Sequence, residues 1–137
     1  MSEGLKRKAD RLAELLQKLA TATAKGMPIV VEGQKDIMAL HQVGIEGKIV
    51  SSKTSGKSFL DLLTEIEQLR VREVILLLDF DRRGAEWTHR LKQHLEKTKI
   101  KPNLTFWNEL YGLVGHDVKD IEGLPAYLET LKKRIGD

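Results

Sequence analysis

The chain has 137 residues, 41% of them apolar and 31% charged, with 23 Lys/Arg against 20 Asp/Glu for a net charge of +3, and no cysteine. That is one domain's length with enough apolar content for a core, so multi-domain, fibrous and disordered classes are excluded. The missing thiols exclude disulfides, zinc ribbons, iron–sulfur clusters and cysteine nucleophiles. Apolar runs of about five residues fall far short of the ~20 that span a bilayer, and no signal-peptide core is present, so a cytoplasmic protein with no membrane partner is expected.

In chain order, Leu5, Ala9, Leu12, Leu16 and Leu19 recur every three or four residues and predict an amphipathic helix from Ser2 to about Thr23. Lys6, Arg7, Lys8, Arg11, Lys18 and Lys25 face only Glu3, Asp10 and Glu14 within residues 1–25, so this segment carries the whole net charge. Such a face attracts polyanions or is simply solvated. Gly26 and Pro28 end the helix, and the β-branched run Ile29-Val30-Val31 predicts a buried parallel strand. A helix is expected from Asp36 to Val43, a strand from Lys48 to Ser51, a polar loop from Ser52 to Lys57, and a helix carrying the stripe Leu60, Leu63, Ile66 and Leu69. Val74 to Leu78 is the strongest strand; Gly84 to Lys97 reads as helix, Leu104 to Trp107 as a fourth strand, and Pro125 to Ile135 as a last helix with proline in its first turn.

Short apolar strands separated by helices are βαβ units. The expected fold is therefore α/β and Rossmann-like, an approximately four-stranded, mainly parallel sheet flanked by helices, with an extra N-terminal helix. The division is 1–25 for the basic helix and 26–137 for the sheet domain. Ligands of such sheets bind beyond the carboxyl ends of the strands, so the polar residues that end strands are the candidates.

Two strand ends are acidic: Glu32-Gly33 after the first, and Asp79-Phe80-Asp81-Arg82-Arg83-Gly84 after the strongest. If Asp79 and Asp81 continue the strand, their side chains share one side about 7 Å apart, with Phe80 turned into packing. Carboxylates gathered at one sheet edge repel unless a cation sits among them, and hard oxygen ligands suit Mg²⁺ or Mn²⁺. An Asp after a strand also serves as a plain helix cap. The combination of Glu32-Gly33 with Asp79-x-Asp81 and a following Gly84, and with Asp36 at the start of a helix, resembles the Toprim family over about residues 27 to 122. The closest likeness is to small stand-alone archaeal Toprim proteins. The resemblance implies Mg²⁺-assisted chemistry on nucleic-acid phosphodiester bonds, of nuclease or primase type, with Glu32 as general acid/base or shared ligand and Asp79 and Asp81 as metal ligands. Gly33, Asp36 and Gly84 complete the motif. A carboxyl group crowded by two others has a raised pKa and moves protons near neutrality, which suits those roles.

Topoisomerase and complete primase activities do not fit. Tyr111 and Tyr127 lie in or beside the same small domain rather than on a separate one, and neither a zinc module nor extra lobes are present. The segment Ser55-Gly56-Lys57-Ser58 is no P-loop, because position 51 is Ser and not Gly. Lys53 and Lys57 in this loop, and Arg82 and Arg83 after the acids, are the candidate contacts to a nucleic-acid phosphate. Asp117 or Asp120, in the run His116 to Gly123, is the candidate for extending the metal site to a second ion, with a cap of the last helix as the other role for Asp120. His41, His89 and His94 lack metal-ligand spacing, and Trp87 and Trp107 sit in apolar periodic contexts and read as core. The partner expected is DNA or RNA, and a homo-oligomer or a larger protein complex is compatible with the sequence. The alternative to an enzyme is a non-catalytic, metal-dependent nucleic-acid-binding or RNA-processing accessory module.

Overall fold

The computed structural model describes residues 2–53 and 56–136; Thr54 and Ser55 of the polar loop lie outside them. The elements in order are α1 (Ser2–Ala24), β1 (Ile29–Val31), α2 (Gln34–Gln42), β2 (Ile49–Ser51), α3 (Phe59–Gln68), β3 (Glu73–Leu76), α4 (Arg82–Glu96), β4 (Lys101–Asn103), α5 (Thr105–Val114), a 3-10 turn at Ile121–Gly123, and α6 (Leu124–Gly136). All four strands are parallel, in the order β2-β1-β3-β4.

Side-chain alternation divides the core between the two faces of the sheet. Ile29, Val31, Ile75 and Leu77 point to one face, where Leu12, Leu16 and Leu19 of α1 join Leu40, Leu110 and Leu131 from α2, α5 and α6. Val30, Val74, Leu76 and Leu78 point to the other, against Leu62 and Ile66 of α3 and Leu91 and Leu95 of α4. The stripe on α1 is thus part of the core, and one of its basic residues is engaged as well. Lys8 bonds Asp117 at 3.0 Å, and the Tyr127 hydroxyl donates to the same carboxylate at 2.9 Å. This clasp ties α1 to the approach to α6.

The expected fourth strand is displaced. Residues 104–107 begin helix α5, and β4 is the preceding Lys101-Pro102-Asn103. Trp107, Leu110, Tyr111 and Val114 repeat at three and four residues, and the Asn103 carboxamide oxygen accepts the Thr105 N–H at 2.9 Å, which starts the helix. Pro102 is tolerated in β4 because this strand lies at the edge of the sheet. The alternation expected for Asp79 and Asp81 also fails. The β3 ladder ends at Leu76, and Asp81 is the N-cap of α4, its carboxylate accepting the Gly84 N–H at 2.7 Å, so helix geometry and not strand geometry aims it. Phe80 is buried as expected, against Trp107 and Tyr111.

Gly47, before β2, has φ +122°, and a Cβ there would lie 2.6 Å from Thr23 Oγ1. Gly47→Ala combines left-handed strain with overpacking against the end of α1, so we expect a loss of about 2 kcal/mol, read as a lower urea midpoint at unchanged m.

Candidate metal centre

The strand order reverses between β1 and β3: the chain leaves β1 for β2 on one side and returns to β3 on the other. Crossover helices therefore diverge there and leave a crevice at the carboxyl ends of these two strands. Glu32 follows β1 directly, and Asp79 lies three residues past β3. These two of the predicted acids thus reach the same edge from neighbouring strands.

Glu32 is buried, with its side chain 6% exposed, and its carboxylate bonds the Lys53 ammonium at 2.7 Å. Its backbone is held as firmly. The carbonyl of Glu32 accepts the hydroxyls of Ser51 and Ser52, at 3.3 and 3.2 Å, and the N–H of Lys53, at 3.0 Å. Asp36, in the first turn of α2, is buried and bridges two segments: one carboxylate oxygen accepts the Gly33 N–H at 2.9 Å and the other the Glu122 N–H at 2.8 Å. Because 86 residues separate Asp36 from Glu122, this bridge carries the 3-10 turn back onto the β1–α2 corner. The Phe80 N–H donates to the Lys119 carbonyl at 2.7 Å, fastening the same segment to the Asp79-Phe80-Asp81 stretch.

A group of acids results. Asp36, Asp120 and Glu122 each offer an oxygen within 4.8 Å of the others, a grouping compatible with a metal ion. Asp79 is pushed up to about 7, first by removal from water and then by the negative charges of Glu32, Asp36, Asp120 and Asp81. Burial likewise raises Asp36, with Asp120 and Glu122 adding to the rise and the hydrogen bonds from Gly33 and Glu122 opposing it. The direction at Asp79 reflects burial together with neighbouring negative charge that a cation would relieve, since the donors are all hard carboxylate oxygens and, among the described residues, one ammonium, that of Lys53, is bonded among them. The residues present fit a divalent cation on that ground.

The other predicted contacts are placed as follows. Asp120 caps the 3-10 turn, accepting the Gly123 N–H at 2.9 Å, and lies among the acids. Lys57 is turned to the Ser51 carbonyl, at 2.6 Å, and to Glu65. Arg82 is 94% exposed and pairs with Glu86 one turn on, and Arg83 is exposed at the start of the same helix. Gly33 has an extended backbone, and a Cβ there would meet only Asp36 Oδ2, at 4.0 Å. Gly84 is needed on steric grounds, because a Cβ would lie 2.0 Å from the Asp79 carbonyl oxygen. The sequence reading assigned no role to Glu122. Its spacing from Asp120 in the Lys119-Asp120-Ile121-Glu122 run was the available signal, but only the return of that run to Asp36 makes it part of the group.

No described helix is long and apolar enough to cross a membrane. The family model described as Toprim domain matches residues 27–105. A UPF0292 protein of Methanosarcina acetivorans is 32% identical over 131 residues, covering 96% of this chain and 89% of its own. Another, from Methanocaldococcus jannaschii, is 34% identical over 120 residues, covering 87% and 91%. A solved structure of a protein from Aquifex aeolicus superposes with a TM-score of 0.68 at 28% identity, over 81% of this chain and 95% of that one. The matched span holds Glu32, Asp36, Asp79 and Asp81 with the strands that carry them, and the chain belongs to the Toprim-domain family, among small proteins of the archaeal UPF0292 kind.

Proposed function

We propose that this protein is a Toprim-domain enzyme of the cytoplasm that uses Mg²⁺ to act on nucleic-acid phosphodiester bonds. The observation that carries the reading is the gathering of acids at the carboxyl edge of the sheet, where Asp36, Asp120 and Glu122 bring oxygens within 4.8 Å of one another; the raised Asp79 carboxyl, lifted first by burial and then by its acidic neighbours, agrees with it. Family membership supplies the class of chemistry. Glu32, Asp79 and Asp81, the ligands that the family resemblance implies, would hold the cation, with the group of Asp36, Asp120 and Glu122 beside them. When bound, the ion neutralises charge that develops on the phosphate.

The chain's own residues have separable tasks in this reading. Glu32 is fixed at its backbone by Ser51, Ser52 and Lys53, so its carboxylate is aimed before anything binds, as a proton-transfer residue must be. Asp36 positions rather than transfers. Both of its oxygens are used to join Gly33 to Glu122, and this sets the spacing between Glu32 and Asp120. Arg82 and Arg83 are exposed at the start of α4, directly after Asp81, where guanidinium groups could meet a phosphate.

The deciding experiment incubates wild type and Asp79→Asn with end-labelled single- and double-stranded DNA and RNA across a Mg²⁺ and Mn²⁺ titration. We expect metal-dependent turnover of at least one substrate by wild type, falling by about 100-fold or more in Asp79→Asn. Metal-dependent binding without turnover would instead assign the protein to the accessory-module class. Neither binding nor turnover with any of the four substrates would overturn the nucleic-acid reading.

A further inference from the structure

Among the described residues, Lys53 is the one cation in an ion pair with this group of acids: Asp36, Asp79, Asp81, Asp120 and Glu122 have no Lys or Arg at bridging distance, whereas Lys53 bonds Glu32 at 2.7 Å. The pair is asymmetric. The Glu32 side chain is 6% exposed and the Lys53 side chain 41%, so the ammonium reaches from the solvent side to a carboxylate that water scarcely reaches. The backbone of Lys53 is independently fastened by its N–H to the Glu32 carbonyl, so the residue stays beside the site whatever its ammonium does. Lys57, four residues on, is held by the Ser51 carbonyl and Glu65 and does not share this arrangement.

We propose that Lys53 is a chain-borne counter-ion that a divalent cation displaces from Glu32, and that the freed ammonium then contacts the phosphate of the substrate. This rests on the reading above that the acidic edge takes such a cation. The reason is charge. A divalent ion carries twice the charge of the ammonium and touches several carboxylates at once, whereas Lys53 satisfies one, so the two compete for Glu32 and the ion has the advantage. A lysine ammonium on a flexible four-carbon stem can swing from a carboxylate to a phosphate oxygen within its reach. Phosphate and cation would then bind in concert: the ion exposes the ligand that the phosphate needs, and the phosphate removes the ion's competitor. As a positioning residue, Lys53 should therefore oppose the metal when alone and assist the substrate once the metal is bound.

Two measurements on the full chain test this. In the first, wild-type protein is acylated briefly at its amines with and without saturating Mg²⁺ and read by mass spectrometry, while calorimetry follows Mg²⁺ binding in parallel. We expect labelling of Lys53 to rise by about threefold or more with Mg²⁺, as an ion pair is exchanged for solvent. Labelling of Lys119, which adjoins Asp120 and controls for the field of the bound ion, should stay within about 1.5-fold, since the field at an exposed amine is screened, and so should that of Lys57, which stays bonded to Ser51 and Glu65. In the second, Lys53→Met is expected to bind Mg²⁺ about fivefold more tightly than wild type, and Lys53→Arg about as wild type. Lys53→Met should nonetheless bind a short single-stranded oligonucleotide in Mg²⁺ about fivefold more weakly. A merely structural lysine would not move metal and oligonucleotide affinities in opposite directions. If calorimetry shows Mg²⁺ binding but Lys53 stays as protected as before, the displacement is overturned and the cation site stands. If neither Mg²⁺ nor Mn²⁺ binds, both readings fall. The labelling arm uses wild-type protein, so it decides the matter even if Lys53→Met folds poorly.

Discussion

Gly84→Ala is expected to cost about 3 kcal/mol or more, lowering Tm by roughly 10 °C, the largest single effect predicted for an added methyl group. The reason is a contact among backbone atoms. A Cβ at position 84 would lie 2.0 Å from the Asp79 carbonyl oxygen, 2.7 Å from its carbon and 2.9 Å from its nitrogen, and none of these is a flexible side-chain end that could move aside. The first turn of α4 must come this close because Asp81 caps it through the Gly84 N–H, at 2.7 Å, while the Thr88 hydroxyl bonds the Gly84 carbonyl, also at 2.7 Å. Relief of the clash would push α4 away from the end of β3 and carry Asp79 and Asp81 out of register with Glu32. Thermal melts with and without Mg²⁺ check both parts: the variant should melt lower and should lose the metal-induced rise. Full retention of that rise would show that the approach of α4 to Asp79 does not set the site.

The second large effect concerns Asp79 and pH. Its folded pKa is raised from an ordinary 3.8 to about 7 by burial and by Glu32, Asp36, Asp120 and Asp81. Between about pH 4 and 7 the native chain therefore keeps a proton that the unfolded chain has released. Stability from this group is fully present below pH 4, is lost as pH rises to about 7, and stays lost above it. Complete conversion of the shift would be about 4 kcal/mol. Asp79 is only half-buried, so screening reduces the expected difference between pH 5 and pH 8 to about 1 kcal/mol. Asp79→Asn cannot ionise. In EDTA its Tm relative to wild type should climb by about 3 °C between pH 5 and pH 8. Millimolar Mg²⁺ should reverse the ranking at pH 8, raising wild-type Tm through linkage and leaving the variant nearly unmoved. For wild type that rise should shrink at pH 6, because the proton and the cation compete for the same carboxylate. A Tm difference independent of pH would show that Asp79 is not crowded by its neighbours.

The sheet strands β1, β2 and β3, the helices other than α5, and the placing of acids at the ends of β1 and β3 were legible from the chain because they rest on short-range physics. Ile29-Val30-Val31 and the run Val74 to Leu78 are apolar at every position, which only a strand covered on both faces requires. A strand's direction also dictates which of its ends faces the ligand edge. Local patterns misled where two periods fit one short stretch. Leu104-Thr105-Phe106-Trp107 suits a strand, but Leu110, Tyr111 and Val114 extend it as a helix once the Asn103 side chain accepts the Thr105 N–H. The real strand, Lys101-Pro102-Asn103, carries little apolar signal because it pairs along one side only. Asp81 was aimed by a helix cap rather than by strand alternation, a choice made by the close approach that Gly84 permits.

Three features were decided by tertiary structure alone. Asp36 and Glu122 meet across 86 residues, Lys53 comes to rest on Glu32, and Lys8 is drawn to Asp117 instead of standing free on a basic face. In each case the chemistry of the side chain was evident, but its partner depends on how loops and helices return to the sheet. By itself, the sequence determined which residues could gather at the edge. The return of the 3-10 turn to Asp36 and of Ser52 and Lys53 to Glu32 decided the pairings, because charges pair by distance in space, and separation along the chain says little about that distance.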